Sequence, residues 1–274
     1  MNATNSDDPT DFDLAAYLRR IDYAGPIEPT LAVLRAVHLA HAMHIPFENL
    51  DILLKRPVRL DIASLQAKLV AGGRGGYCFE QNRLFATALQ ALGFRVQSLI
   101  ARVRFRVQQV LPRTHMLLLV ALDGEHWLAD VGFGADGLLL PVPLESGRTS
   151  HQFAWWVRAI EREQMWVMQS VREGAWQDLY AFTLEPQWPV DYEVANHYTS
   201  THPDSRFTQL LLAQRVTPEV KIMMCNRELT HDTGSALTSR TLTDDEIVHV
   251  LAETFGLVFA PGTRFGFIEE RSTS

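Results

Sequence analysis

Apolar residues in the first third of the chain recur with the period of an α-helix. Leu14, Tyr17, Leu18 and Ile21 follow the i, i+3, i+4, i+7 spacing of one helical face. Three further apolar stretches, each closed by proline or glycine, are also predicted to be helices: Thr30 to Pro46, Asp61 to Gly72 and Cys78 to Gly93. The first third is therefore predicted to form a helical bundle.

After Gly93 the pattern changes to the alternation and β-branched content of strands. The segments that show it, separated by short polar turns, are Val96–Val107, His115–Leu122, His126–Phe133, Phe153–Ile160 and Met165–Val171. Strands joined in sequence by short turns run antiparallel. This middle section is predicted to be an antiparallel sheet or barrel.

The last third of the chain mixes the two patterns. Val220, Ile222 and Met224 alternate as in a strand, and Thr243 with Glu246 forms a capping box ahead of an apolar helical face. No internal repeat or long linker separates the sections. The predicted fold class is α+β in three closely packed parts: residues 1–93 as a helical bundle, 94–203 as an antiparallel β-barrel and 204–274 as an α/β part.

Length and composition narrow the class of protein. The chain has 274 residues, 47% hydrophobic and 21% charged, which is typical of a folded globular protein with a sizeable core. A formal net charge of −7 argues against nucleic acid and membrane as partners, because phosphate groups attract basic surfaces. Two cysteines cannot form a disulfide framework and are interpreted as thiols of a reducing compartment. With a polar, acidic start and no run of roughly 18 apolar residues, the protein is predicted to be cytoplasmic.

The glycine-rich stretch before Cys78 is the part of the sequence most informative about chemistry. Four of the six preceding residues are glycine, which indicates a tight turn or a close approach of the backbone. Because Cys78 falls in the first turn of a predicted helix, the helix dipole favours its thiolate, and free amide groups there can receive an oxyanion. The alternatives are a buried structural cysteine and a phosphate-binding loop. The glycine turn and the helix start argue against a structural cysteine, and a phosphate-binding loop would need the Walker spacing or a complete G-x-G-x-x-G, which the sequence lacks. We therefore predict a nucleophile.

A nucleophilic cysteine needs a base, and a predicted hairpin turn at Asp123-Gly124 indicates one. Counting along the ladder from this turn sets Leu117 opposite Asp130 and makes His115 a diagonal neighbour of Asp130 on one face of the sheet. The prediction depends on register, because a shift of one residue puts the two side chains on opposite faces. Taken singly, His115 is equally consistent with a surface histidine and Asp130 with a solvated carboxylate. Asp130 lies among apolar residues, however, where a carboxylate is costly unless a group such as His115 pairs with it.

With these three residues identified, the sequence resembles the arylamine N-acetyltransferases. The matching pieces are Ile45–Asp51, Arg74–Asn82, Arg113–Val120, Ala129–Gly134 and Leu184–Pro203. The resemblance implies a helical bundle, a β-barrel and a C-terminal α/β lid around a papain/transglutaminase-like cysteine core. It assigns the nucleophile, base and orienter of a catalytic triad to Cys78, His115 and Asp130.

The resemblance also implies a reaction and its substrates. It implies ping-pong transfer of an acetyl group from acetyl-CoA, through a cysteine thioester, to an arylamine, arylhydrazine or hydrazide, with no metal. Phe47 and Phe133 would line the acceptor site, and Gly134 would lie beside the thioester donor. The sequence departs from the family pattern at Gly72-Gly73 and at Ala135–Leu138, and the second departure leaves details of the donor pocket open.

Two smaller predictions accompany this assignment. Arg74 is expected to form a structural ion pair with a carboxylate such as Glu48. His38, His41 and His44 invite a comparison with metal-binding or regulatory modules, but their i, i+3, i+6 spacing fans around a helix, and we interpret them as ordinary helix residues.

Other acyl-transfer functions remain open from the sequence. A macrolactam-forming amide synthase of the same family would share the triad, and so would a cysteine peptidase or a transglutaminase-like enzyme. The physiological amine, the acyl chain length and the oligomeric state, monomer or homodimer, are also open.

Overall fold

The computed structural model describes residues 12–107, 109–152, 154–172, 174–217 and 219–268; Phe153, at the start of one predicted strand, lies outside them. The α-helices are α1 (Leu14–Arg20), α2 (Leu31–His44), α3 (Leu50–Leu53), α4 (Ile62–Leu65), α5 (Cys78–Ala91), α6 (Pro189–Thr201), α7 (Arg206–Gln209) and α8 (Asp244–Phe255). Within these described ranges, no helix is long and apolar enough to cross a membrane.

The strands belong to two sheets. They are β1 (Phe47–Glu48), β2 (Arg95–Val103), β3 (Arg113–Leu122), β4 (Glu125–Ala129), β5 (Val142–Pro143), β6 (Thr149–Gln152), β7 (Trp155–Arg162), β8 (Met165–Arg172), β9 (Ala175–Phe182), β10 (Leu212–Val216), β11 (Lys221–Cys225), β12 (Glu228–Asp232) and β13 (Leu237–Thr241). The predicted α+β class is confirmed.

The predicted helices of the first third form, with one irregularity. The Asp13 carboxylate accepts a hydrogen bond from the Ala16 N–H at 2.8 Å, and the Asp61 carboxylate accepts one from the Ser64 N–H at 2.8 Å, so both residues cap the helices that follow. The helix expected from Asp61 to Gly72 divides instead into α4 and a π-helical segment, Gln66–Ala71. Apolar spacing alone does not distinguish these two helical geometries.

The middle section is a nearly closed barrel. Eight antiparallel strands follow the order β5-β4-β3-β2-β9-β8-β7-β6, and the sheet curls until β5 lies beside β7. Side chains that alternate inward fill its interior, among them Leu99, Leu117, Trp155, Met168 and Tyr180. The outer face of β2 to β4 packs on α5, so the helix that begins at Cys78 lies against the strands that carry the predicted base.

The hairpin between β3 and β4 has the predicted register. Asp123 and Gly124 have φ angles of 51° and 81°, the two left-handed residues of a type I′ turn. The ladder pairs Leu122 with Glu125 and continues to Leu118 with Ala129. The predicted strand was wrong in extending to Phe133, because β4 ends at Ala129 and the Asp130 N–H bonds to a side chain of α2.

The second sheet joins a strand from the first third of the chain to four strands from the last third. Its order is β1-β10-β11-β12-β13, and α8 packs against it through buried residues such as Leu251 and Phe255. The predicted capping box of α8 is confirmed, since Glu246 accepts the Thr243 N–H at 2.8 Å. The division at residues 93 and 203 stays a prediction. Contacts cross both proposed boundaries, because β1 pairs with β10, α5 packs on β3 and α6 packs on α7.

Candidate active site

Cys78 is the first residue of α5 and is almost wholly buried. The glycines before it allow close packing against β1: a Cβ on Gly75 would lie 1.9 Å from the Pro46 carbonyl oxygen. Gly76 in turn accepts the Glu48 N–H at 3.0 Å. The glycines therefore serve both predicted purposes: Gly73, with a φ of 64°, allows a tight turn, and Gly75 makes the close approach of the backbone.

The structure brings Cys78, His115 and Asp130 together. The Nε2 atom of His115 lies 2.7 Å from Oδ2 of Asp130, and both side chains are buried. Cys78 lies close enough to His115 to help raise the pKa of its imidazole, and the Sγ atom of Cys78 lies 3.5 Å from the carbonyl oxygen of Thr114. Because Nε2 is used by the carboxylate, Nδ1 is the ring nitrogen available to the thiol.

Charge in this cluster is distributed as a carboxylate and an imidazolium. Burial lowers the pKa of His115, but the Asp130 carboxylate and the interaction with Cys78 outweigh it and raise the pKa to about 10. Burial acts to raise the pKa of Asp130, yet His115, Asn82 and the Gly132 N–H hold it below its usual value. The Asp130 carboxylate thus favours the charged form of the imidazole beside Cys78.

Asn82 and Gly132 also lie against the cluster of Cys78, His115 and Asp130, and neither was predicted from the sequence to belong to the site. Asn82 donates to Oδ1 of Asp130 at 2.9 Å and to the Met116 carbonyl at 2.7 Å. A Cβ on Gly132 would lie 2.7 Å from the Cα of Cys78, so only glycine fits between the loop and α5. Asn82 could have been found from its i+4 spacing after Cys78, which places both on one face of α5.

Aromatic side chains surround the imidazole. The ring centroid of Phe133 lies 5.1 Å from that of His115 and 5.0 Å from that of Tyr180. Phe47 packs against Gly134, whose added Cβ would lie 3.5 Å from the Phe47 ring. Phe47, Phe133 and Gly134 line one small cavity, of which neither Cys78 nor His115 is a lining residue. Their roles in binding substrate therefore remain proposals.

A largely buried ion network supports the nucleophile loop. Arg74 lies 2.6 Å from Glu48, as predicted, and 3.3 Å from Asp51. Lys68 lies 2.7 Å from both Asp51 and Glu80. Burial raises the pKa of Glu80 to about 7, although Lys68 acts to lower it.

Glu80 connects this network to the thiol. Its Oε2 atom accepts the N–H of Tyr77, the residue before Cys78, at 3.1 Å. The network thus fixes the start of α5.

The three histidines of α2 do not converge. His38 and His41 each have both ring nitrogens engaged by other protein groups, and the Nδ1 atom of His44 bonds to the Ala40 carbonyl of its own helix. In the parts of the chain that the structure covers, no group of three or more His, Cys, Asp or Glu side chains could hold a metal ion.

The raised pKa of His115 makes stability depend on pH. The folded protein holds this proton more tightly than the unfolded chain, whose histidine pKa is about 6.5, so the stabilisation is complete below about pH 6.5 and is lost as the pH rises toward 10. We expect the free energy of unfolding, measured by urea denaturation, to fall more steeply from about pH 7 to 10 in the wild type than in His115→Gln. Equal slopes in the two proteins would contradict the assignment.

A thiol, an imidazole and a carboxylate joined in this order are the arrangement used by acyl-transfer enzymes that carry the acyl group on a cysteine. A sequence profile of the N-acetyltransferase family matches residues 30–263. The arylamine N-acetyltransferase of Escherichia coli (strain K12) is 41% identical over 245 residues, which cover 88% of this chain and 87% of that protein. The chain belongs to the arylamine N-acetyltransferase family.

Solved structures agree with this membership. The Nocardia farcinica arylamine N-acetyltransferase aligns with a TM-score of 0.87 and 40% identity, covering 93% of both chains. The Mycobacterium marinum arylamine N-acetyltransferase in complex with CoA aligns with a TM-score of 0.86 and 36% identity, covering 89% of this chain and 93% of that one.

Proposed function

We propose that the protein is an acetyl-CoA:arylamine N-acetyltransferase that works by ping-pong exchange through a thioester on Cys78. One observation carries the site assignment: Cys78, His115 and Asp130 form a continuous buried series in which the carboxylate and the imidazole are 2.7 Å apart. Family membership and the CoA complex of a relative support the choice of donor. The acceptor is an arylamine, arylhydrazine or hydrazide.

In the first half-reaction, the Cys78 thiolate attacks the carbonyl carbon of the acetyl thioester. The bond from that carbon to the CoA sulfur breaks, and the His115 imidazolium gives its proton to the departing sulfur. The raised pKa of His115 supports this role, because it keeps the imidazole charged before the attack. Free CoA leaves, and an acetyl group remains on Cys78.

In the second half-reaction, the amine nitrogen attacks the acetyl carbon. The neutral His115 takes the proton of the amine while the bond to the Cys78 sulfur breaks, which restores the thiolate and the imidazolium. Asp130 stabilises the charge on the ring and fixes its orientation. A thioester suits this exchange, because the acyl group stays activated between the two steps.

The remaining proposals concern the residues that contact the substrates, the three parts of the fold and the cellular compartment. Phe47 and Phe133 are proposed to contact the aromatic ring of the acceptor, and Gly134 the thioester donor. Residues 1–93, 94–203 and 204–274 are proposed as helical bundle, barrel and lid around a papain/transglutaminase-like cysteine core, with the lid keeping water from the acetylated thiol. The fold, the acidic net charge and the pair of cysteines support a cytoplasmic enzyme that acts on small molecules.

Intact-mass spectrometry of the wild-type protein tests the proposal. Incubation with acetyl-CoA is expected to add one acetyl group, which peptide mapping places on Cys78. Adding an aniline should remove this group and yield the N-acetylated product. Protein pretreated with iodoacetamide serves as the control and should gain no acetyl group. An unmodified wild-type protein, or an adduct that the amine does not discharge, would overturn the proposal.

A further inference from the structure

We infer that His38 is a positioning residue for the reaction, one that holds Asp130 in place through the main chain. His38 lies on α2 and is wholly buried. Its Nε2 atom accepts the Asp130 N–H at 3.1 Å, and its Nδ1 atom lies 2.9 Å from the carbonyl oxygen of Leu139. The inference rests on the proposed function, because it concerns the residue that orients His115.

The two hydrogen-bond partners of His38 define the protonation state and the tautomer of its imidazole. A carbonyl oxygen accepts only, so Nδ1 carries a hydrogen and donates it to Leu139; an amide N–H donates only, so Nε2 is the unprotonated acceptor of the Asp130 hydrogen. The ring of Phe85 packs edge-on against the imidazole, with centroids 5.4 Å apart. His38 is therefore a neutral imidazole in one tautomer with both nitrogens used.

The Asp130 N–H needs this partner because it points away from β3, toward the side of β4 where β5 does not extend far enough to meet it. The β4–β5 ladder pairs Trp127 with Pro143 and Leu128 with Val142 and does not reach Asp130. A buried N–H without a partner is costly, because it has given up its hydrogen bond to water and gained none in return. The Nε2 atom of His38 replaces the strand carbonyl that the Asp130 N–H would otherwise meet, and so it fixes where the chain leaves the barrel.

His38 also joins the two ends of the segment from Asp130 to Leu139. This segment holds three glycines, and Gly134 has a φ of 69°, so the backbone gains little rigidity from its own side chains. Gln152 strengthens the far end by accepting the Leu139 N–H at 2.8 Å. Phe133, which packs on His115, lies within the closed segment.

Among the contacts of Asp130, two come from helices and hold it from different directions. Asn82 holds the carboxylate from α5, and His38 holds the main chain from α2. If the His38 contact is lost, the Asp130 backbone can shift and the 2.7 Å bond to His115 lengthens. The imidazole is then less well oriented toward Cys78. The reactivity of the thiol should therefore fall even where the protein stays folded.

Three substitutions separate this role from simple packing. In His38→Gln, the amide oxygen lies as many bonds from the backbone as Nε2 and can still accept the Asp130 N–H. In His38→Asn, the amide nitrogen lies where Nδ1 was and keeps only the Leu139 contact. His38→Phe fills the space and keeps neither. His44→Gln, on the same helix but bonded to Ala40 of that helix, is the matched control.

The readouts are the pH profile of Cys78 alkylation by iodoacetamide, kcat for acetyl transfer and the unfolding temperature. We expect alkylation at neutral pH and kcat to fall about tenfold in His38→Asn and His38→Phe, and to stay within about twofold of wild type in His38→Gln and His44→Gln. The alkylation profile of the two impaired variants should also shift relative to wild type.

The order of the variants decides the inference. If His38→Asn matches His38→Gln, if both losses follow the unfolding temperature alone, or if His38→Phe keeps wild-type rates, the positioning role is wrong. Failure of the proposed function is distinguishable, because then the wild type would gain no acetyl group from acetyl-CoA, whereas the alkylation rates of the His38 variants could still be compared.

Discussion

Cys78→Ser is expected to lower the rate of acetyl transfer by roughly 10⁴-fold or more. A serine hydroxyl has to lose its proton during the attack, and the Asp130 carboxylate, which raises the pKa of His115, favours the charged imidazole and makes it a poor acceptor for that proton. The reaction is followed as N-acetylated product formed from an aniline. The same variant should show no acetyl adduct by intact mass.

The second cysteine provides the matched control. Cys225 is half-buried on β11, in the sheet formed by the end of the chain. Cys225→Ser is expected to keep the wild-type rate within about twofold, since the thiol has no part in the proposed chemistry. Retention of more than about a tenth of the wild-type rate in Cys78→Ser, with an unchanged unfolding temperature in both variants, would contradict the nucleophile assignment.

Arg74→Met is expected to lower the free energy of unfolding by about 3–5 kcal/mol. The variant leaves the Glu48 carboxylate, whose side chain is 0% exposed, with the Leu50 N–H at 2.7 Å and, as the remaining cation of the network, Lys68 at 4.0 Å. An uncompensated buried charge is costly, because the interior cannot replace the water that solvates it in the unfolded chain. Urea denaturation measures the loss.

Arg56→Met is the control for this network. Arg56 also faces Asp51, but at 3.7 Å and with a side chain 59% exposed, so we expect a loss below about 1 kcal/mol. The double variant Arg74→Met with Glu48→Gln should recover part of the loss, since it removes the orphaned charge. Similar losses in Arg74→Met and Arg56→Met would show that burial of the network contributes little.

The sequence predicted those parts of the site that follow from short-range geometry. The Asp123-Gly124 turn has one strongly preferred conformation, and counting from it placed His115 beside Asp130 in the register that the structure shows. Likewise, glycines next to Cys78 indicated a close approach, and Pro46 provides it. In both cases the local backbone permits few alternatives.

The parts that could not be predicted depend on contacts between distant segments. His38 and His41 looked like ordinary helix residues, because helical spacing says nothing about which groups other elements bring to their ring nitrogens. The end of β4 at Ala129 was missed for the same reason, since a side chain from α2 takes the next N–H. β1 was missed because two residues carry no detectable alternation.

The pairing of β1 with β10 has a consequence for how the protein is made. Glu48 is synthesised well before its strand partner Ala213, which follows 165 residues later in the chain. Until then the nascent chain exposes an unpaired strand beside the nucleophile loop, and contacts so far apart in sequence form slowly. A fragment released before β10 would carry the cysteine but not the second sheet, so we expect full activation of the thiol only after β10 has been made.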